Sequence, residues 1–223
     1  LRPREISMAD ATSPKIKLAL LGAGNWGKNL LNAFNRSPDF DLRMVVELDD
    51  KARARAAASV PGAAMAADPA QAFDSPEIDA VAIATPAPTH ANLAVAALKA
   101  KKHVFVEKPL CLSLGEVTRI SEAATGKNQT LMVGHLLEYH PAVSKLRTLL
   151  DSGELGRIRY IYSVRVNLGV VRQNENAWWS LAPHDISVVC LLLGKTPIRV
   201  SAHGASYLNK GVEDVVFANL TFD

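Results

Sequence analysis

The sequence predicts an α/β fold: a doubly wound parallel sheet first, and a smaller α+β domain after it. Three observations carry this. Between residues 15 and 134, short apolar runs alternate with helix-like stretches, the pattern of strand–helix–strand units in a parallel sheet. The first run, Lys15-Ile16-Lys17-Leu18-Ala19-Leu20-Leu21, breaks directly into Gly22-x-Gly24-x-x-Gly27 and then into a helical pattern. After Gly134 the chain changes to a helix and then to long period-two runs, which suit an antiparallel sheet with one covered face.

Composition bounds the rest. The chain has 223 residues, 48% hydrophobic and 21% charged, enough for one large domain or two smaller ones. Net charge is +3 with no lysine or arginine run longer than a pair, which excludes a nucleic-acid reading. Cys111 and Cys190 lie far apart in apolar surroundings and read as buried thiols of a reducing compartment. No apolar stretch is long enough to span a membrane, and no cluster suggests a metal. The leading Leu1-Arg2-Pro3-Arg4-Glu5-Ile6-Ser7 lacks the apolar core of a signal peptide. Residues 1–14 read as a disordered leader with Met8 as a natural start, and the protein is expected in the cytoplasm.

The elements follow in order. Strand, glycine turn and helix together form a dinucleotide-binding fingerprint. Gly22 permits the tight turn, Gly24 lets the backbone approach a pyrophosphate, and Gly27 lets helix and strand pack closely. Asn25 and Trp26 complete the turn expected to hold the cofactor. A helix from Trp26 to Arg36 leads to a strand over Leu42–Val46. That strand ends in Glu47, twenty residues past Gly27, where such a unit places the acid for the adenosine ribose hydroxyls. Asp49 is the alternative if the register shifts by two.

Residues 51–59 are alanine-rich and helical, and a short strand follows near Ala63–Ala66. Asp68 is expected to cap a small helix. The strand Asp79–Ala84 is apolar throughout, as a central strand buried on both faces should be, and runs into Thr85-Pro86-Ala87-Pro88-Thr89-His90. A helix over Thr89–Ala100 precedes the strand His103–Val106, which ends in Glu107-Lys108-Pro109. A lysine there projects toward the cofactor crevice and can stabilise a developing oxyanion. Ser113 should cap the next helix with Glu116 completing a capping box, and the strand Thr130–Val133 closes the sheet.

In the second domain, residues 135–223, a helix is expected over Pro141–Ser152 and a strand over Ile158–Val166. Residues 167–187 are dense in polar and aromatic side chains, the composition of a binding loop. His184 opens the next helix, and its unperturbed pKa of about 6.5 suits acid–base work. Strands over Ile198–Ala205 and Val212–Phe222 flank a turn at Asn209-Lys210-Gly211. The pattern stops within a strand, so either the chain is a fragment of a longer protein or an oligomer covers the sheet.

Taken together, GAGNWG, ATPAPTH and KHVFVEKPL resemble the Gfo/Idh/MocA oxidoreductases, from about Lys15 onward. The resemblance implies a Rossmann domain over residues 15–134, then a domain with an open, mostly antiparallel sheet that here looks truncated. It implies NAD or NADP with the nicotinamide near Lys108, pairing of sheets into homo-oligomers, and often a cis Lys108–Pro109 bond. Thr85, Pro86 and His90 would line the cofactor pocket, Glu107 would contact the cofactor's ribose region, and Lys108 would be catalytic. A histidine at the place of His184 would act as general acid/base. Many relatives carry an aspartate four residues earlier, where this chain has Ser180, leaving Asp185 as the alternative orienting group.

The arrangement NLG…R…N…WWS…APHDIS resembles the nucleotide-sugar 3-dehydrogenases, including those acting on UDP-N-acetylglucosaminuronate. On that likeness Arg172 or Arg165 would hold a substrate carboxylate or phosphate. Asn167, Asn174, Tyr139 and Trp178 or Trp179 would hold the sugar. The implied activity is oxidation of a sugar hydroxyl, C3 of a UDP-sugar, to a ketone. The alternative is a non-catalytic NAD(H)-binding regulatory or assembly protein. A helical structural module is excluded by the strand–helix alternation.

The carboxylate of Glu47 would repel a 2′-phosphate, so NAD is expected to bind more tightly than NADP. A titration of the purified protein with both dinucleotides checks this, and equal affinities would refute it.

Overall fold

A computed structural model describes residues 14–126, 128–166, 171 and 175–223. The expected leader over residues 1–14 lies outside the described residues except for Pro14. The chain forms two compact units that divide between Gly134 and His135.

The first unit is a six-stranded parallel sheet in the order β3-β2-β1-β4-β5-β6. Its strands are β1 (Ile16–Leu21), β2 (Phe40–Val46), β3 (Ala64–Ala66), β4 (Ala80–Ile83), β5 (His103–Val106) and β6 (Leu131–Val133). Helices α1 (Gly27–Arg36), α2 (Asp50–Ser59), α3 (Ala70–Phe73), α4 (Ala87–Lys99) and α5 (Leu114–Ala124) join them. The order reverses between β1 and β4, and ligands of doubly wound sheets bind at that switch, beyond the strands' carboxyl ends.

Central strands are apolar because both their faces are covered. Alternate side chains of β1 and β4 then fall into separate cores. Leu18, Leu20, Ala80 and Ala82 pack with Leu31 of α1 and Ala56 of α2. Ala19, Leu21, Val81 and Ile83 pack on the opposite face with α4 and with Ile120 of α5. Helix α4 meets the sheet through Ala91, Ala94, Ala97 and Leu98, all buried, so small side chains bring it close to the strands.

Capping follows the local chemistry. The Asp49 carboxylate accepts the Ala52 N–H and starts α2, and the Asp68 carboxylate accepts the Ala70 N–H beside α3. The Ser113 hydroxyl accepts the Glu116 N–H, whereas the Glu116 carboxylate takes the Leu112 N–H rather than closing the box on Ser113.

The second unit holds a 3₁₀ turn at Leu136–Tyr139, α6 (Pro141–Asp151), α7 (Ala177–Leu193), and an antiparallel pair, β7 (Arg199–Ala205) with β8 (Val215–Thr221). Two expectations fail here. Residues 158–166 form no strand. Their apolar side chains are not covered: Tyr160, Ile161, Tyr162, Val164 and Val166 are all exposed, and Ser163 and Arg165 bond to Asp185 of α7. A strand also needs a ladder partner, and none pairs with this segment among the described residues. Helix α7 begins at Ala177, seven residues before His184. The Asn176 side chain accepts the Trp179 N–H, and the Ala177 N–H donates to the Glu213 carbonyl, so the cap sits upstream of Pro183.

Among the described residues, no helix is long and apolar enough to cross a membrane, and no group of acidic, His and Cys side chains is placed to hold a metal.

Leu20, fully buried in β1, should cost about 2–5 kcal/mol on truncation to alanine. Leu114→Ala, at a side chain 85% exposed, should cost less than about 0.5 kcal/mol. Chemical denaturation of the two variants checks the difference.

Candidate active site

The glycine turn is built around the space that each glycine leaves. Gly22 ends β1 with φ +91°, and a Cβ there would lie 2.8 Å from the Ala84 carbonyl oxygen and 2.9 Å from the Thr85 nitrogen. At Gly27 a Cβ would lie 2.1 Å from the Gly22 carbonyl oxygen. These two positions need glycine for the protein's own packing. Gly24 does not: a Cβ there would meet nothing within 4 Å. Its value is an open approach to the backbone.

Among the described residues, no protein acceptor takes the backbone N–H groups of Asn25, Trp26 or Gly27 at the start of α1. Unmatched donors with the positive end of a helix dipole suit a pyrophosphate. Glu47, just past β2, turns its carboxylate to this loop and accepts the Ala23 N–H at 2.7 Å and the Asp49 N–H at 3.0 Å. Arg53 of α2 donates to the Glu47 carbonyl at 2.7 Å and pairs with Asp50. The residues present therefore fit a dinucleotide: open backbone, free donors and an acid at the edge of the turn.

The loops beyond β4 and β5 adjoin the turn. The Thr85 and Thr89 hydroxyls bond at 2.6 Å, and Thr89 also donates to the Pro86 carbonyl, which shapes the start of α4. Glu107, 7% exposed, accepts the Trp26 indole N–H at 2.7 Å and the Lys108 backbone N–H at 3.2 Å. The Lys108–Pro109 peptide is cis. His90 is fully buried, with its ring nitrogens 2.8 Å from the carbonyls of Thr85 and Pro109. One set of bonds thus joins Trp26, Glu107, Lys108, Thr85 and His90.

In the second unit, His184 sits within α7 rather than at its start, with the Ser187 hydroxyl donating to its carbonyl. Asp185 accepts Arg165 Nε at 2.8 Å, Arg165 Nη2 at 3.1 Å and the Ser163 hydroxyl at 2.9 Å. Partial burial pushes the Asp185 carboxyl up, but the hydrogen bonds from Arg165 and Ser163 and the nearby charges of Arg165 and His184 outweigh it. The carboxyl is held below its ordinary range. The same bond raises the Arg165 guanidinium. Arg165, one of the two arginines expected to hold a substrate carboxylate or phosphate, pairs with Asp185, whose two oxygens take both the guanidinium and the Ser163 hydroxyl. Tyr139 is 63% exposed and Trp179 36%. Asn167, Arg172 and Asn174 lie outside the described residues.

The bond between Trp26 and Glu107 is not legible in the sequence, since 81 residues separate them. Nor are the Ser163 hydroxyl's bond to Asp185 and the Asn176–Glu213 hydrogen bond at 2.9 Å that ties the start of α7 to the hairpin. An Asn followed by a helical run was the signal for that cap.

Trp26→Phe keeps an aromatic ring but removes the indole N–H and so deprives a buried carboxylate of a donor, and should destabilise the first unit by about 1–3 kcal/mol in denaturant titration. For Asp185 the sign follows from its lowered folded value. The advantage of wild type over Asp185→Asn should be present above about pH 3.9, the unfolded carboxylate value. It should vanish as pH falls through the lower folded value. Thermal unfolding across an acidic pH series checks this.

Comparison with known proteins agrees with the geometry. Residues 16–135 match the model of an oxidoreductase family with an NAD-binding Rossmann fold, and residues 143–223 match the GFO/IDH/MocA C-terminal domain. An inositol 2-dehydrogenase of Saccharopolyspora erythraea is 32% identical over 192 residues, spanning 84% of this chain and 57% of that protein. The oxidoreductase YrbE of Bacillus subtilis is 26% identical, spanning 94% of this chain and 64% of that one. The chain spans about six-tenths of the length of these curated relatives. Among solved structures, GenD2 from gentamicin A biosynthesis, in complex with NAD, superposes with a TM-score of 0.83 at 27% identity, covering 99% of this chain and 65% of that one. An oxidoreductase from Magnetospirillum magnetotacticum superposes at 0.80 with 31% identity, covering 94% and 67%. Fold, glycine turn and family matches agree, and the chain belongs to the Gfo/Idh/MocA oxidoreductase family.

Proposed function

We propose that this protein is an NAD-dependent dehydrogenase that oxidises a secondary hydroxyl of a cyclic polyol or sugar to a ketone. The observation that carries the reading is the junction of the glycine turn with Glu107-Lys108-Pro109, joined by the Trp26–Glu107 hydrogen bond at the carboxyl edge of one sheet. The inositol dehydrogenases among its relatives support a polyol-like substrate. A finer reading is C3 of a UDP-sugar, supported by the arrangement of residues 167–187.

NAD, when bound, supplies the hydride acceptor. Glu47 would accept hydrogen bonds from the adenosine ribose hydroxyls, and the donors of the turn would hold the pyrophosphate. Glu107, Thr85 and Pro86 would border the remainder of the cofactor. The Lys108 ammonium donates to the substrate hydroxyl oxygen and stabilises negative charge as the carbon–hydrogen bond breaks. His184 takes the hydroxyl proton as general base. Arg172 is then the group for a substrate carboxylate or phosphate, because Arg165 is paired with Asp185. Asn167, Asn174, Tyr139 and Trp179 are assigned to the sugar. Val215 and Phe217, exposed on one face of β8, support a homo-oligomer formed through that sheet.

The test is to incubate the protein with NAD and a panel of inositols and UDP-sugars, and to follow reduced nicotinamide. 2-Oxoglutarate is added separately to detect cofactor recycling. Turnover is expected with at least one member. Lys108→Ala should retain NAD binding and lose roughly 10²–10³ in kcat. Measurable NAD binding with no turnover on any member would favour a non-catalytic NAD(H)-binding protein instead.

A further inference from the structure

His90 does more than border the cofactor. Its ring is 1% exposed, with Nδ1 2.8 Å from the Pro109 carbonyl oxygen and Nε2 2.8 Å from the Thr85 carbonyl oxygen. Both oxygens only accept hydrogen bonds. A neutral imidazole carries one N–H, so in that form one of the two contacts would set lone pair against lone pair in a site without water access. Two N–H groups satisfy both.

The two carbonyls belong to different loops. Thr85 follows β4 and abuts the turn at Gly22, while Pro109 follows Lys108 beyond β5. Strands β4 and β5 are already paired through Ile83 and Val106, but that ladder ends where the loops begin. Past that point, the His90 ring is a direct bond between them. We propose that His90 is a positioning residue: as an imidazolium donating from both nitrogens, it clamps the Thr85 loop to the Lys108 loop and so sets where Lys108 stands.

The titratable side chains on the elements around the ring are Glu107, Lys108 and Cys111 of the β5–α5 loop, and Glu116, Arg119 and Glu122 of α5. Glu107 bonds to Trp26, Cys111 to the Ser113 carbonyl, Glu116 to the Leu112 N–H and Arg119 to Asn92. The clamp therefore depends on the ring's own second proton. Without that proton one of the two loops is no longer held. The kinetic part of the inference rests on the dehydrogenase reading; the protonation of the ring does not.

The experiment has two arms. In the first, protein carrying ¹⁵N-labelled histidine is observed by NMR at the assay pH. The His90 ring is assigned by its absence from the His90→Gln spectrum or, if that variant does not fold, by through-bond correlation in wild type. Two protonated ring nitrogens are expected, and one bare nitrogen overturns the proposal. In the second arm, His90→Gln should lower kcat on the order of tenfold to a hundredfold while NAD affinity is retained. It should also speed hydrogen exchange at the Lys108 amide. Unchanged kcat, or exchange unchanged at Lys108, overturns the clamp. If wild type turns over no substrate, the dehydrogenase reading fails, while NMR and exchange still decide the clamp.

Discussion

The fold's functional edge depends on how closely β1, α1 and β4 meet. At Gly27 no side-chain atom fits, because a Cβ would lie 2.1 Å from the Gly22 carbonyl oxygen, and at Gly22 a Cβ would strike the Ala84 carbonyl. This contact lets α1 rise directly from the turn and leaves the N–H groups of Asn25, Trp26 and Gly27 without protein acceptors. The same crowding that demands glycine at two positions creates the open, donor-rich surface at the third. An ordinary strand–helix connection would bury or cap those donors.

From that junction the remaining groups are placed by single bonds rather than by further packing. Glu47 reaches back to the Ala23 N–H, Trp26 reaches across to Glu107, and His90 joins the loops beyond β4 and β5. Each bond ties a short loop to a strand end that the sheet holds rigidly. Sites on loops become well defined when the scaffold beneath is stiff and the loop carries its own ties. The second unit uses the same device on a helix, with Asp185 of α7 gathering Arg165 and Ser163 from an extended segment.

The family to which the chain belongs accounts for the glycine turn and the lysine after β5, but a Rossmann turn serves many chemistries. In the second unit, Arg165 and Ser163 are engaged with Asp185 of α7.

Much of the first unit was legible in the sequence because its signals are local. A buried parallel strand is a continuous apolar run, a tight turn needs glycine, and a cap needs a short polar side chain, so β1, β4, β5, the turn and the Ser113 cap follow from neighbouring residues alone. Tertiary structure decided whatever depends on a distant partner. Residues 158–166 carry a strand's alternation yet form no strand, because a ladder requires a neighbour and theirs are side-chain bonds to Asp185. Helix α7 starts at Ala177 because Glu213, far along the chain, takes its first N–H. Arg165 and His90 have residue types that announce charge and hydrogen bonding, but not toward whom. Periodicity records which face is covered; only the fold determines which group stands opposite.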